Sequence, residues 1–450
     1  MSKRAYRFWP SCSPHIPPGR PSRGIALLTA LLALSLVSLI GLTMMFVSTT
    51  KVLIERDDQA WVFNSYSAES GCEEARERIE SFLSNPLTPL TDPNQVIYVV
   101  SANSVNPAGG TAESNPYFDS EFGSGSAATL VPSNLNRPGF AWVRIARKTE
   151  RWARYNLDGS SPYLSSSNTN VDVPVLYGFS KLASPAGPAQ YVNSGAHPVS
   201  HTGTPVYHVI AFVRDRAGFK LSTRSDISRV PVPPLRAAFY SKDSISISTA
   251  NTTVTGEDES GTSVALDSLE SRNAITGDLT NVIGAPTSVR PYSPFIYDLE
   301  AIIEMLRPPV SREIEKVSPG ITKQSDGTYR GDGLNFGEIP LEGDQSQAVF
   351  ADGPLILSNS MGQGILIVNG DLSVSGTLSF YGLIIVRGKV ILNGEGASGI
   401  EIHGGILSSS DVGDQTSILS GRISIRYHYA LIQEQFNTLG FIRLAYRNAL

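Results

Sequence analysis

The sequence has little cysteine, little charge and no acid at its start. Two cysteines, Cys12 and Cys72, cannot build a disulfide framework or a cysteine-rich zinc site. Charged residues make up only 17% of the 450, too few for a chain kept unfolded by self-repulsion. The first 24 residues hold no acid but carry Lys3, Arg4, Arg7, Arg20 and Arg23. Without them the net charge moves from −5 to −10, and so acidic a remainder argues against nucleic acid as a partner. G-x-S-x-G, H-E-x-x-H and Walker patterns are absent, which removes the motif-level case for the hydrolases, zincins and nucleotide-binding proteins that carry them.

Charge is also absent between Arg23 and Lys51. The core of this stretch, Ile25 to Val47, has 23 residues, and 13 of them are Leu, Ile, Val or Phe. As a helix it spans roughly 35 Å, enough to cross a bilayer. Those side chains favour insertion by roughly 4–8 kcal/mol with no charge to oppose them. The basic residues before the run hold the N-terminus in the cytoplasm and send the rest of the chain across the membrane. A cleaved secretory signal would have a shorter apolar region followed by an A-x-A site, and no such site follows here.

Past Lys51 there is no Pro until Pro86 and no Gly except Gly71, so the helix is expected to continue to about residue 84. Ala68, Cys72, Ala75, Ile79 and Phe82 recur at helical spacing and form one apolar stripe. Glu73, Glu74, Glu77, Arg78 and Glu80 take the other faces, with Glu74 and Arg78 a favourable i,i+4 pair. Residues 25–47 read as transmembrane and 51–84 as amphipathic, the stripe docking on the chain's own globular part.

A basic leader ending in Gly24, the immediate apolar helix Ile25-Ala-Leu-Leu-Thr-Ala-Leu-Leu, and Ser67-Ala-Glu-Ser-Gly-Cys-Glu-Glu-Ala-Arg resemble the N-terminal region of PilX-type type IV pilus assembly proteins, which are minor pilins or pilin-like. The resemblance covers about residues 20–84. It implies a prepilin-type leader at 1–24, cut by a prepilin peptidase between Gly24 and Ile25, with methylation of the new terminus. Most major pilins carry Glu at the fifth mature position; here it is Thr29. In the family that Glu is thought to neutralise a neighbour's N-terminal amine, so its lack implies a minor, initiating or tip-located subunit. The implied partners are other pilins, inner-membrane pilus assembly proteins, the prepilin peptidase and membrane lipid.

Residues 85–229 are expected to form a pilin-like β-rich domain. Short β-like runs such as Val96–Val100 and Phe140–Ile145 are bounded by Gly, Pro and Ser loops, and Val206–Val213 with Phe219–Thr223 flank the turn Asp215-Arg-Ala-Gly as an antiparallel hairpin. Val230-Pro-Val-Pro-Pro reads as a rigid linker.

A second region, 235–425, reads as a β-solenoid with an insertion at 256–347, followed by a C-terminal segment, 426–450. Its signature is a ruler: Gly364, Gly370, Gly376, Gly382, Gly388 and Gly394 fall every six residues. The second and fourth residues after each Gly are apolar: Leu366/Val368, Leu372/Val374, Leu378/Phe380, Ile384/Val386 and Val390/Leu392. Strands of four or five residues with a bend at each Gly stack as coils, three units to a turn. An antiparallel meander with hairpins at Asn369-Gly370 and Asn393-Gly394 is the competing arrangement. Strands near Ala348–Leu357 and Ile400–Ile406 would extend the stack, and Ser244–Thr255 would be an earlier coil. Ile365, Ile367, Leu383 and Ile385 make two units apolar on both faces. That strip is either covered by the chain's own N-terminal domain or long helix, or a docking face for another pilus subunit.

Candidates for chemistry are few. Gly394-x-Gly396-x-x-Gly399 matches a dinucleotide fingerprint but is followed by Ile400-Glu-Ile-His, a strand where the fingerprint needs a helix. His197 and His201 flank Pro198 with no acid nearby, so a loop pair is expected, not a metal site. His208 and His403 lie within strands and read as structural. Asp352, Asp371, Glu395 and Glu401 share no coil spacing, as stacked catalytic acids would. The expectation is an α+β, mainly β protein with no catalytic residue, metal or cofactor. It would sit in the bacterial inner membrane as a single-pass protein, with a periplasmic head that can pass outside the cell in a pilus. An anchored surface adhesin or carbohydrate-binding β-solenoid is the alternative.

Overall fold

A computed structural model describes residues 23–83, 96–101, 105–120, 128–135, 139–149, 175–179, 189–193, 203–214, 220–233, 235–261, 265–294, 297–307, 311–314, 320–335, 348–410 and 415–449. Two compact units divide the chain, Met1–Phe63 and Asn64–Leu450. The leader up to residue 22, His197, His201 and the turn at 215–218 lie outside the described residues.

A single helix, α1, runs Arg23–Leu83 over 61 residues. In the first unit it is long and apolar enough to cross a membrane. Leu, Ile, Val, Met and Phe side chains from Ile25 to Ile54 are exposed. Thr29, Ser35, Thr43, Thr49 and Thr50 in this run bond back to carbonyls of their own helix, which lowers their cost in lipid. Ser35 Oγ donates to the Leu32 carbonyl at 2.9 Å and Thr43 Oγ1 to the Ile40 carbonyl at 2.8 Å.

In the second unit the last turns of α1 pack on a six-stranded sheet. Its strands are β1 (Val96–Val100), β2 (Ala128–Pro132), β3 (Phe140–Arg147), β4 (Tyr207–Arg214), β5 (Lys220–Arg229) and β6 (Phe441–Ala449), in the order β2-β1-β3-β4-β5-β6. Every pairing is antiparallel except β1 with β2. The expected antiparallel partners β4 and β5 register Tyr207 against Ile227 and Arg214 against Lys220. The C-terminal residues 441–449 close one edge of this sheet, far in sequence from the rest of it.

The remaining large sheet has 17 strands. Its pairings are parallel, apart from Thr322–Lys323 with Tyr329–Asp332. The hairpins expected under the meander arrangement do not form: Asn369-Gly370 and Asn393-Gly394 are corners between strands that pair with the next coil. Gly364, Gly382 and Gly404 lie in register on successive coils. All three have positive φ, and a Cβ on Gly382 would overlap the Gly364 carbonyl oxygen, so this corner admits only glycine. The ten apolar residues of the ruler point inward and are buried. Each coil thereby removes several branched side chains from water, worth about 1.5–3 kcal/mol apiece against leaving them exposed.

The coils do not stack in chain order. Strands at 237–255 come first in sequence, and those at 267–283 pair on one side of them. Residues 291–310, including the helix α2 (Leu299–Leu306), then separate these from Ser311–Glu313, which pairs with Ala348–Ala351 at the far end. From there the coils advance back, until Ile406, Thr416 and Ile423 pair with Phe239, Ser244 and Thr252. Strands within 256–347 thus join the same sheet at both of its ends.

The strip Ile365, Ile367, Leu383 and Ile385 is fully buried. A second C-terminal element, helix α3 (Tyr429–Thr438), packs on these strands. Its Ile432 and Phe436 join the same apolar cluster, together with Ile302 and Ile303 of α2. Both expectations for the strip are therefore corrected: the helix packed on its strands is α3, not the long N-terminal helix, and the strip is not open as a docking face. The chain covers the strip itself, because a face apolar over two coils is too costly to leave in water.

Candidate functional site: the docked half of the long helix

The apolar stripe of α1 lands as its spacing requires. Ala68, Cys72, Ala75 and Ile79 are at most 1% exposed, against Ile97, Val99, Val143, Ile145, Val209 and Ala211 of the sheet. The side chain of Phe82 lies outside the described residues. Burial pushes the Cys72 thiol up to about 12, with the Arg443 charge pulling weakly the other way, so it stays a neutral packing group.

Gly71 sets how near the helix comes. A Cβ at this position would stand 2.7 Å from both Phe140 Cε2 and Val143 Cγ2. Any larger residue would push the helix off β3. Helical periodicity alone assigns Gly71 no role beyond a tolerated interruption, since its neighbour across the contact is some 70 positions away.

Charges fasten both flanks. On one, the Glu74 carboxylate accepts from Arg78 Nε and Nη2 at 2.9 and 2.8 Å, from Ser133 Oγ at 2.5 Å and from the Asn134 amide at 2.9 Å. Its place off the apolar stripe predicts a solvated Glu74. The residue is buried instead, and its desolvation is offset by these four donors. On the other flank, Arg443 of β6 reaches Glu73 and Glu69. The helix is thus tied to the loop after the edge strand β2 and to the opposite edge strand β6.

Two buried ion clusters brace the sheet. Arg144 meets Asp119 at 2.6 Å, and the Tyr98 hydroxyl donates to the same carboxylate at 3.1 Å. Asp226 accepts from Lys148 at 2.5 Å and from the Tyr191 hydroxyl at 2.8 Å, and it faces His208 Nδ1 at 2.7 Å. Burial would raise the Asp226 pKa, but the His208 contact and the Lys148 charge outweigh it and hold the carboxyl at about 2. Burial lowers the His208 pKa, so the ring is neutral and donates through Nδ1.

The processing residues lie at the other end of α1. The helix starts at Arg23, so the Gly24–Ile25 peptide bond falls in its first turn. Ile25 is exposed, and Thr29 Oγ1 donates to the Ile25 carbonyl at 3.1 Å. Gly394–Gly399 is a turn between two strands, with no helix after it. His403 stacks on Tyr381 and contacts Glu259 at 2.7 Å. Asp352, Asp371 and Glu395 are engaged by Arg307, Lys389 and Asn393 respectively. No group of three metal-ligating side chains occurs among the described residues.

No family model matches the chain. No curated protein matches it at a significant level. Among solved structures, the competence-associated pilin ComZ from Thermus thermophilus is similar over 57% of this chain and 85% of that one, at 11% identity and a TM-score of 0.14, a value too low to infer a shared fold.

Proposed function

We propose that the chain is a non-enzymatic type IV pilus assembly protein of the PilX type, a minor pilin-like subunit. The observation that carries this reading is the change of character along one helix. From Ile25 to Ile54 the apolar side chains of α1 are exposed; from Ala68 to Ile79 one stripe is buried under an antiparallel-rich sheet. A helix of this kind anchors in lipid by its first half and carries a folded head on its second. The basic leader, the Gly24–Ile25 junction and the Ala-Glu-Ser-Gly-Cys-Glu-Glu-Ala run support the same reading. The stacked parallel coils act as a β-solenoid head outside the membrane. Thr29 in place of the usual Glu favours a rare or terminal position over repeated packing along a shaft.

N-terminal sequencing of the mature protein tests it. A start at Ile25 is expected; an intact Met1, or a start beyond Val47, overturns the pilin assignment. Deletion of the gene separates assembly from adhesion. Lost pili support the assembly role, whereas normal pili with lost attachment favour the adhesin. Immunogold labelling that found the protein regularly along the shaft would exclude the terminal position.

A further inference from the structure

One cavity in the second unit lies beside the contacts above, sharing Phe436 with the cover of the strip. It measures about 270 Å³ and lies where β4, β5 and β6 of the six-stranded sheet meet helix α3. Its walls are Tyr207, Phe436 and Phe441, its charge is Arg229, and Gln433 and Asn437 stand one helical turn apart at its rim. The volume is slightly below the roughly 300–1,000 Å³ of ligand pockets, which suits a single ring and not an extended chain.

Arg229 is the informative residue. Its guanidinium carbon sits 5.1 Å from the centre of the Phe441 ring, and its Nε is buried with no hydrogen-bond acceptor. Glu80 acts on it through space, yet no carboxylate among the described residues is within ion-pair distance of it. Burial lowers its pKa, with the Glu80 charge opposing; the side chain is half-buried and Nε is its one donor shut off from water without an acceptor. An anion reaching that donor would gain a charge-assisted hydrogen bond. The rest of the lining is equally specific. Tyr207, Phe436 and Phe441, nearly fully buried, form an apolar floor with Pro205, Val230 and Val232, and exposed side-chain amides at i and i+4 offer paired donors and acceptors to hydroxyls.

We propose that this cavity binds a carboxylated monosaccharide, the carboxylate on Arg229, the ring over the apolar floor, and the hydroxyls at Gln433 and Asn437. A neutral sugar would leave that donor without an anion. A bare inorganic anion would leave the apolar floor and the amides unused. Tyr207 and Phe441 also belong to the apolar cluster that receives the α1 stripe, so the cavity adjoins the docked end of that helix.

Calorimetry on the full-length chain in detergent tests it, with glucuronate, glucose and inorganic sulfate as probes. Glucuronate is expected to saturate one site and to bind at least about tenfold more tightly than glucose, the ratio expected for one charge-assisted contact. Arg229→Gln should remove that preference. Asn437→Trp, at an exposed rim position, should abolish binding by filling the mouth while leaving the thermal midpoint unchanged, so it decides the question even if Arg229→Gln fails to fold. Equal binding of glucose and glucuronate overturns the proposal. So does glucuronate binding that survives both substitutions, or its full displacement by an equal concentration of sulfate.

Discussion

Arg443 Nη2 donates to Glu73 Oε1 at 2.6 Å, joining the last strand of the chain to its first helix across 370 positions. The pair is the outer of two fastenings on α1, and it is the wetter one. Arg443 and Glu73 are 32% and 41% exposed, whereas Glu74 on the opposite flank is 6% exposed. The two flanks should therefore respond differently to neutralisation. A double-mutant cycle of Glu73→Gln with Arg443→Gln is expected to give a coupling of at most about 1 kcal/mol, falling in high salt. Glu74→Ala strands the Ser133 hydroxyl and the Asn134 amide without their acceptor and should cost about 2–3 kcal/mol. Urea unfolding at two salt concentrations measures both. A salt-sensitive Glu74 would contradict its burial.

Two glycines of the same helix differ sharply in their surroundings. Gly41 has nothing within 4 Å of an added Cβ, while Gly71 has the side chains of Phe140 and Val143 at 2.7 Å. Gly41→Ala should leave the head's thermal midpoint unchanged and gain roughly 0.5–1 kcal/mol of local helix stability. Gly71→Ala has the same propensity gain but must lift the helix or displace β3, for a net loss of about 1–3 kcal/mol. Thermal unfolding of the head reads the difference. A neutral Gly71→Ala would mean the sheet is not packed on this turn.

Part of this architecture is legible in the amino acids themselves. The stripe from Ala68 to Ile79 follows helical period, and period dictates which side chains share a face whatever lies opposite. The six-residue ruler is legible for a similar reason: one glycine per corner and two inward side chains per strand repeat wherever three sides make a coil. The stacking order is not. Backbone pairing between residues near 240 and residues near 406 leaves no compositional trace, so the crossover through α2 looks like a mere insertion. The cover over Ile365 and Leu383 is equally silent, because α3 is short and its apolar residues carry no mark of the strip they meet. The ion clusters are hidden too, since Asp119 and Arg144 are 25 positions apart and Lys148 and Asp226 are 78 apart, and an isolated charge has no period.

The corner glycines are not equivalent. Gly382 and Gly396 both have positive φ, but only Gly382 abuts backbone, at the Gly364 carbonyl; the nearest atom to a Cβ on Gly396 is Thr377 Cγ2 at 3.9 Å. Gly396→Ala should cost about 1–2 kcal/mol from the left-handed backbone alone. Gly382→Ala adds a collision that neither coil can relieve without breaking register. The expected result is a chain that fails to accumulate as a folded head, seen as rapid proteolysis of 235–425 while Gly396→Ala remains resistant. Equal resistance would argue that the two coils are not in contact at this corner.

The Asp226 cluster predicts how the head responds to acid. The carboxyl is held at about 2, below its ordinary value of 3.8. A depressed carboxyl pKa stabilises the fold above the unfolded value and loses that contribution as pH falls through the folded value. The loss should run from about pH 4 down to pH 2 and amount to roughly 2 kcal/mol. His208 adds an earlier limb of the same sign. Its folded pKa is lowered from 6.5 by burial, so the unfolded chain takes up a proton that the folded chain resists, and stability begins to fall as pH drops below about 6.5. Unfolding free energy measured from pH 8 to pH 2 should be level at first, then decline in two steps. His208→Asn should erase the upper step and shrink the lower one, because the His208 contact is among those that hold Asp226 down. A profile that rises between pH 6.5 and 4 would mean that His208 is charged in the folded protein, and that Asp226 balances the imidazolium as well as Lys148.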